Sequence, residues 1–154
     1  MRPRIPLPED FQAFSDAGRA LGEWHLNYET VEPYALTEDV TRSVMEAKDW
    51  RVSKMVFGKQ GGKPDKLVIG YNENVTLRRI PLEAYDYVVY GKSAVVWILD
   101  RYRVSVDKAS QIWNALNDWS EDPRYIVDLL KRIVRVSVES VRMVNNLPPL
   151  NEAK

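Results

Sequence analysis

Apolar residues recur at steps of three and four from Ile126 to Val144, through Leu130, Val134, Val138 and Val141, with Asp128, Lys131, Arg132, Arg135, Glu139 and Arg142 among the residues between them. That spacing puts one apolar stripe on a 3.6-residue helix. Asp122-Pro123 before it offers a capping carboxylate and a first-turn residue with no amide to leave unpaired, and Pro148-Pro149 ends it. The pattern predicts a long C-terminal helix. A second helical pattern starts near Glu9, with Phe11, Phe14, Gly18, Leu21, His25 and Tyr28 on one stripe and Glu9 and Asp10 at the positive helix N-terminus. This helix is expected to bury its aromatic face. Gly18 and Gly22 each cost about 1 kcal/mol of helix propensity relative to Ala, which suggests close packing at that point.

Between these helices the period changes. Residues 51–57, 66–71 and 75–80 are rich in Val, Ile, Leu and aromatics and are separated by turn chemistry at 59–65 and at Asn72-Glu73-Asn74. They predict a three-stranded antiparallel meander. Alternation in the third strand sets Val75, Leu77 and Arg79 on one face and Thr76, Arg78 and Ile80 on the other, so neither face is cleanly apolar. Pro33 interrupts residues 29–36, and residues 37–49 read as a short helix or a loop. Residues 81–90 and 93–102 read as helices broken at Gly91, with Tyr85, Val88, Val89, Val95, Trp97, Ile98 and Tyr102 in the core. The fold class expected is α+β: a small antiparallel three-stranded sheet packed with several helices, the last of them long. Residues 9–147 form one domain in this reading, after a Pro-rich linker remnant at 1–8 and before a tail at 148–154.

A chain of 154 residues with 45% hydrophobic content, five Trp and eight Tyr is large enough to bury one substantial core. It contains no cysteine and one histidine, which excludes disulfides and thiolate zinc sites and leaves imidazole sites short of ligands. No apolar run approaches the roughly 18 to 20 residues that span a bilayer, and no signal pattern opens the chain, so a soluble cytoplasmic protein with no membrane partner is expected. Net charge is zero but unevenly spread. Residues 1–50 carry five basic and ten acidic side chains, whereas residues 51–79 carry seven basic (Arg51, Lys54, Lys59, Lys63, Lys66, Arg78, Arg79) and two acidic. A run of this kind is either a solvated sheet face or an electrostatic footprint for phosphate.

Catalytic constellations eliminate themselves. His25 lies on the apolar stripe of the first helix, where packing is the simpler role. A nuclease carboxylate set would need Asp65 to precede its Glu-x-Lys partner, but Glu46-Ala47-Lys48 comes before it and Glu152-Ala153-Lys154 falls in the expected tail. Neither a phosphate loop nor a Gly-x-Gly-x-x-Gly turn occurs. Asn146-Leu147-Pro148-Pro149 lacks the aromatic of the adenine-methyltransferase element, and a proline stop accounts for it. The residues support binding instead. Reading bases needs a paired donor and acceptor, as Asn and Gln offer adenine, or a forked donor, as Arg offers guanine. The candidates are Gln60, Arg78, Arg79, Arg103, Gln111, Asn114 and Asn117. Lys54, Lys59, Lys63, Lys66 and Lys108 are suited to holding phosphates and setting register. Asn114 and Asn117 could equally satisfy backbone groups in turns.

Three stretches carry a family resemblance: IPLPEDFQAFSDAGRALGEWHLNYETVEPY, IPLEAYDYVVYGKSAVVWILDRYRVSVDKAS, and NDWSEDPRYIVDLLKRIVRVSVESVRMVNNLPPL. Together they resemble the C-terminal specificity (target-recognition) domain of type ISP restriction-modification enzymes, large bacterial chains that find, methylate and cut DNA. The likeness spans nearly the whole sequence and departs at 111–116, where Gln-Ile-Trp-Asn-Ala-Leu replaces the family's Gly and Asn-Asp-Pro step. The resemblance implies a noncatalytic domain that binds double-stranded DNA beside an N6-adenine methyltransferase domain, with an ATP-dependent translocase and a nuclease elsewhere in the parent polypeptide. It implies no cofactor in this chain, S-adenosylmethionine, ATP and Mg belonging to the parent. Met1-Arg-Pro-Arg-Ile-Pro then reads as a start inside a longer polypeptide. The alternative from the same residues is a protein-interaction module docking its first helix on the methyltransferase or translocase.

Overall fold

In the computed structural model, which describes residues 11–103 and 116–149, the chain enters its longest helix over Asp122. The Asp122 carboxylate accepts the Arg124 N–H at 2.9 Å and its carbonyl accepts that of Tyr125 at 3.1 Å, so two N-terminal donors are satisfied before the helix starts. The helix runs Tyr125–Asn145 and buries Ile126, Leu130, Val134 and Val138 of the stripe read from the sequence, with Val127 beside them, whereas Val144 at its end is exposed. Each such burial stabilises by about 1.5 to 3 kcal/mol. Ser137, also buried, donates its hydroxyl to the Ile133 carbonyl at 2.7 Å and so is itself satisfied in the core.

Before this helix come α1 (Phe11–Leu26), β1 (Thr37–Val40), β2 (Val56–Gln60), β3 (Lys63–Gly70), β4 (Val75–Arg78) and a short hairpin of β5 (Val88–Val89) and β6 (Lys92–Ser93). Helix α2 (Ala94–Arg101) follows the hairpin, and Tyr125–Asn145 is α3. The main sheet is antiparallel with four strands in the order β1-β4-β3-β2, not three. Its core face carries Ile69, Val75 and Leu77 against α3, with Leu36, Met55, Tyr71, Ile80 and Val95 completing the core.

The unexpected strand is β1. Its sequence, Thr37-Glu38-Asp39-Val40, shows no apolar alternation because its inward position is a carboxylate. Glu38 pairs with Leu77 across the ladder, and there it accepts from Lys131 at 2.7 Å and Arg124 at 2.8 Å on α3. An inward charge on an edge strand is a recognised way to block edge-to-edge pairing. Burial works to raise the Glu38 pKa, but the hydrogen bonds from Arg124 and Lys131 outweigh it and hold the carboxyl below its ordinary 4.5. A carboxylate lowered on folding contributes stability above its unfolded value and loses it as pH falls through that value toward the lower folded one. The melting temperature of the chain should therefore drop on acidification below about 4.5, and Glu38→Gln should show a smaller drop over the same range.

Two hairpins also differ from the sequence reading. The β2–β3 turn is two residues, Gly61-Gly62, with φ of 57° and 79°, the geometry of a tight hairpin turn that glycine adopts without steric cost. Both strands consequently extend further toward the tip than expected, while residues 51–55 lie outside the strand. The predicted helix over 81–90 is shorter and tighter, a 3₁₀ helix at Leu82–Asp86 followed by β5, and Tyr90-Gly91 make the second hairpin turn. That hairpin turns Val88 outward, leaving it 57% exposed, and Trp97 on α2 is half-exposed with its Nε1 donating to the Val89 carbonyl.

Helix α1 packs on α3 yet none of its residues is buried, and Phe11 and Leu26 are 61% and 84% exposed. His25 anchors it: Nε2 lies 3.1 Å from the Tyr87 hydroxyl and 3.2 Å from Ser140 Oγ. Gly18 and Gly22 do not mark a close approach, because a Cβ on either would meet nothing within 4 Å. Gly18→Ala should therefore stabilise the isolated chain by up to about 1 kcal/mol through helix propensity alone, measured by urea unfolding. A loss of stability would show a neighbour that the geometry lacks.

Candidate nucleic-acid interface

Among the described residues, the β2–β3 hairpin groups Lys59 and Lys63 with no ion pair. Register pairs Gln60 with Lys63 and Lys59 with Pro64, and cross-strand partners share a face, so Gln60 and Lys63 lie on one side of the hairpin and Lys59 on the other. All three are exposed, and neither lysine makes an ion pair among the described residues. Behind the tip the ladder is irregular: Phe57 pairs with Ile69 but Gly58 pairs with Asp65, leaving residues 66–68 of β3 without partners on β2. Val68 folds back over Gly58, where a Cβ would lie 2.9 Å from the Val68 Cβ. The bulge sends Lys66 outward, its ammonium 5.2 Å from the centroid of the Tyr85 ring, while the Tyr85 hydroxyl donates to the Lys66 carbonyl at 2.7 Å. Burial pushes the Tyr85 phenol well above its ordinary pKa, so it remains a donor there.

At the end of β4 two arginines part company. Arg78, paired with Thr37 and Val68 in the ladder, hydrogen-bonds through Nε to the Asp39 carboxylate. Arg79 has a φ of 63° and is exposed, with no ion pair or side-chain hydrogen bond among the described residues. The Ile80 N–H then donates to the Leu67 carbonyl at 3.1 Å, so Arg79 and Ile80 together face one residue of β3. This bulge resolves the ambiguous alternation of the strand. The extra residue moves Arg79 off the core face and brings Ile80 onto it, with 0% exposure.

The remaining candidates fall in three places. Arg103, at the end of α2, lines a cleft of about 320 Å³ with Lys59, Phe57, Gly62 and Asp100, so the fold brings Lys59 and Arg103 to one opening. Lys54 is exposed just before β2. Asn117 stands apart: its Oδ1 accepts the Val52 N–H at 2.7 Å and its Nδ2 donates to the Val52 carbonyl at 2.9 Å, while Arg51 beside it pairs with Asp118 at 3.0 Å. Lys108, Gln111 and Asn114 lie outside the described residues.

Sequence reasoning missed the polar network that fixes the β3–β4 turn. Asn72 accepts the N–H groups of Asn74 and Val75 at 2.8 Å and donates to the carbonyls of Asp49 and Arg51, and the buried Asp49 carboxylate accepts from Arg42 at 3.1 Å and from the Glu46 N–H at 2.9 Å. The Asn-Glu-Asn turn was its only signal, and it is shared by ordinary solvent turns. Nothing in these groups supports acid–base chemistry. Among the described residues no cluster of three His, Asp or Glu side chains is placed to hold a metal, and no helix is long and apolar enough to cross a membrane.

Comparison with known proteins places this geometry. The family described as the type ISP C-terminal specificity domain matches residues 1–129. No curated protein matches the chain. Among solved structures, a nuclease-deletion mutant of the type ISP restriction-modification enzyme LlaGI, in complex with a DNA substrate mimic, is 37% identical with a TM-score of 0.80, covering 95% of this chain and 11% of that one. The ATP-dependent type ISP enzyme LlaBIII bound to DNA is 33% identical with a TM-score of 0.82, over 97% of this chain and 9% of that one. A DrdV–DNA complex is 26% identical with a TM-score of 0.74, over 97% and 15%. The chain thus spans between 9% and 15% of the length of the enzymes it matches. On the extent of the family match and the agreement in fold, this chain belongs to the type ISP C-terminal specificity domain family.

Proposed function

We propose that this chain is a noncatalytic DNA target-recognition domain that holds duplex DNA beside a methyltransferase domain of a longer restriction-modification polypeptide. The β2–β3 hairpin and the neighbouring end of β4 face the duplex. The observation that carries this reading is the distribution of counter-charges. Arg51 and Arg78 have carboxylate partners, whereas Lys54, Lys59, Lys63 and Arg79 have none among the described residues, and such cations release condensed counterions when they meet phosphates. The DNA carried by LlaGI, LlaBIII and DrdV supports it from outside the chain. S-adenosylmethionine, ATP and Mg would be bound by other parts of the polypeptide. The test is a duplex titration over a range of salt concentrations. Affinity should fall steeply with salt, and a flat response would reject the reading.

A second reading rests on α1. Its lack of any buried residue, its exposed Phe11 and Leu26, and the open space above Gly18 and Gly22 suit a helix that docks on the methyltransferase domain of the same polypeptide. The two readings use different faces and are compatible. Bulky substitutions at Gly18 and Gly22 that leave association with that domain unchanged would remove the second and spare the first.

A further inference from the structure

The bulge at the end of β4 needs one residue with left-handed backbone, a conformation glycine adopts freely and a long side chain resists. This sequence places arginine there, with φ of 63°. The bulge itself does not require a guanidinium. Its packing task is to put Ile80 into the core, and Ile80 achieves that through its own side chain and its N–H bond to the Leu67 carbonyl. Nor does Arg79 serve a local ion pair: it has no partner among the described residues, while Arg78 next to it is held by Asp39. A strained, exposed, unpaired side chain on a pinned backbone is what remains, and strain of this kind persists where the side chain has a task outside the fold.

Resting on the DNA-recognition reading above, we propose that Arg79 is a specificity-determining residue that reads a guanine in the major groove. The guanidinium is a fork of donors with no acceptor, which matches the two acceptors O6 and N7 of guanine and not the donor–acceptor edge of adenine. A phosphate contact needs only a flexible point charge, and Lys59, Lys63 and Lys66 nearby supply that without strain. Base reading needs a fixed starting vector for the side chain. The bulge fixes it from both strands: Ile80 is fully buried on one side, and on the other Leu67 is held by its N–H bond to Asp65 Oδ1 at 2.9 Å, beside the Tyr85 hydroxyl bond to the Lys66 carbonyl.

The experiment compares the full polypeptide that carries this chain with its Arg79→Gly and Arg79→Lys variants, using a pool of random-sequence duplexes from which bound members are sequenced, together with thermal unfolding. Arg79→Gly should unfold at no lower a temperature, because glycine adopts the left-handed backbone without strain. It should also lose the preference for a G·C pair at one position of the enriched sequence by about tenfold or more, with the preferences at other positions intact. Arg79→Lys keeps the charge and should fail to restore that preference. Uniform weakening on all duplexes would make Arg79 a phosphate contact and overturn the inference, as would an enriched sequence unchanged in Arg79→Gly. In both cases DNA recognition by the domain survives. An unmodified polypeptide that enriches no sequence overturns the recognition reading and this inference together.

Discussion

Reversing Lys59 and Lys63 to glutamate together is expected to weaken duplex binding by about a hundredfold near physiological salt and to flatten its salt dependence, with no change in melting temperature. Each lysine that neutralises a phosphate contributes close to one unit of the slope of log affinity on log salt, and replacing a cation by an anion adds repulsion to that loss. Stability should hold because both side chains are exposed and make no ion pair among the described residues, and surface charges in that position contribute little to it. Geometry sharpens the expectation. Lys59 and Lys63 leave opposite faces of a hairpin closed by two glycines, so a duplex contacting both must meet the hairpin at its tip. The double variant should then lose more affinity than either single one. If one single reversal reproduces the whole effect, the duplex lies along one face and the tip-on arrangement is wrong.

What the amino-acid pattern made legible follows from which interactions are local. Helix α3 could be read because its stripe and its proline stop are encoded within one segment, although it starts two residues later than Asp122-Pro123 suggested, with Arg124 at the N-cap and Asp122 accepting the Arg124 N–H in the turn before it. Strand β1 could not, because Glu38 faces inward only on account of Lys131 and Arg124, more than eighty residues away. The alternation of β4 is ambiguous in the sequence because a bulge at Arg79 changes which residues share a face, and a left-handed arginine has no sequence signature where glycine would have had one. Gly18 and Gly22 misled for a related reason, since a glycine's cost to helix propensity implies a benefit without saying whether the neighbour lies within the domain. In the candidate interface, the concentration of lysines was visible in composition alone, but which cations carry counter-charges depended on the placement of Asp39 and Asp118. Asn117 shows the same dependence on distant partners.

Asn117→Ala is expected to destabilise the domain by about 3 kcal/mol, far more than Arg51→Ala beside it, and to leave the sequence preference of the folded protein intact. Val52 is 3% exposed, and its N–H and C=O both end on the Asn117 amide rather than on a neighbouring strand. Truncation leaves a buried donor and a buried acceptor without partners, each costing roughly 1 to 3 kcal/mol, whereas the exposed Arg51–Asp118 pair contributes about 1 kcal/mol at most. The amide that would have to meet an adenine edge offers the same oxygen and nitrogen that Val52 already uses. One side chain cannot serve both in that geometry. Urea unfolding of the two variants, alongside selection from random duplexes, separates the roles. A variant that keeps its stability but loses a base preference would mean that the clasp on Val52 opens when DNA binds, and that Asn117 belongs with Arg79 among the readers of sequence.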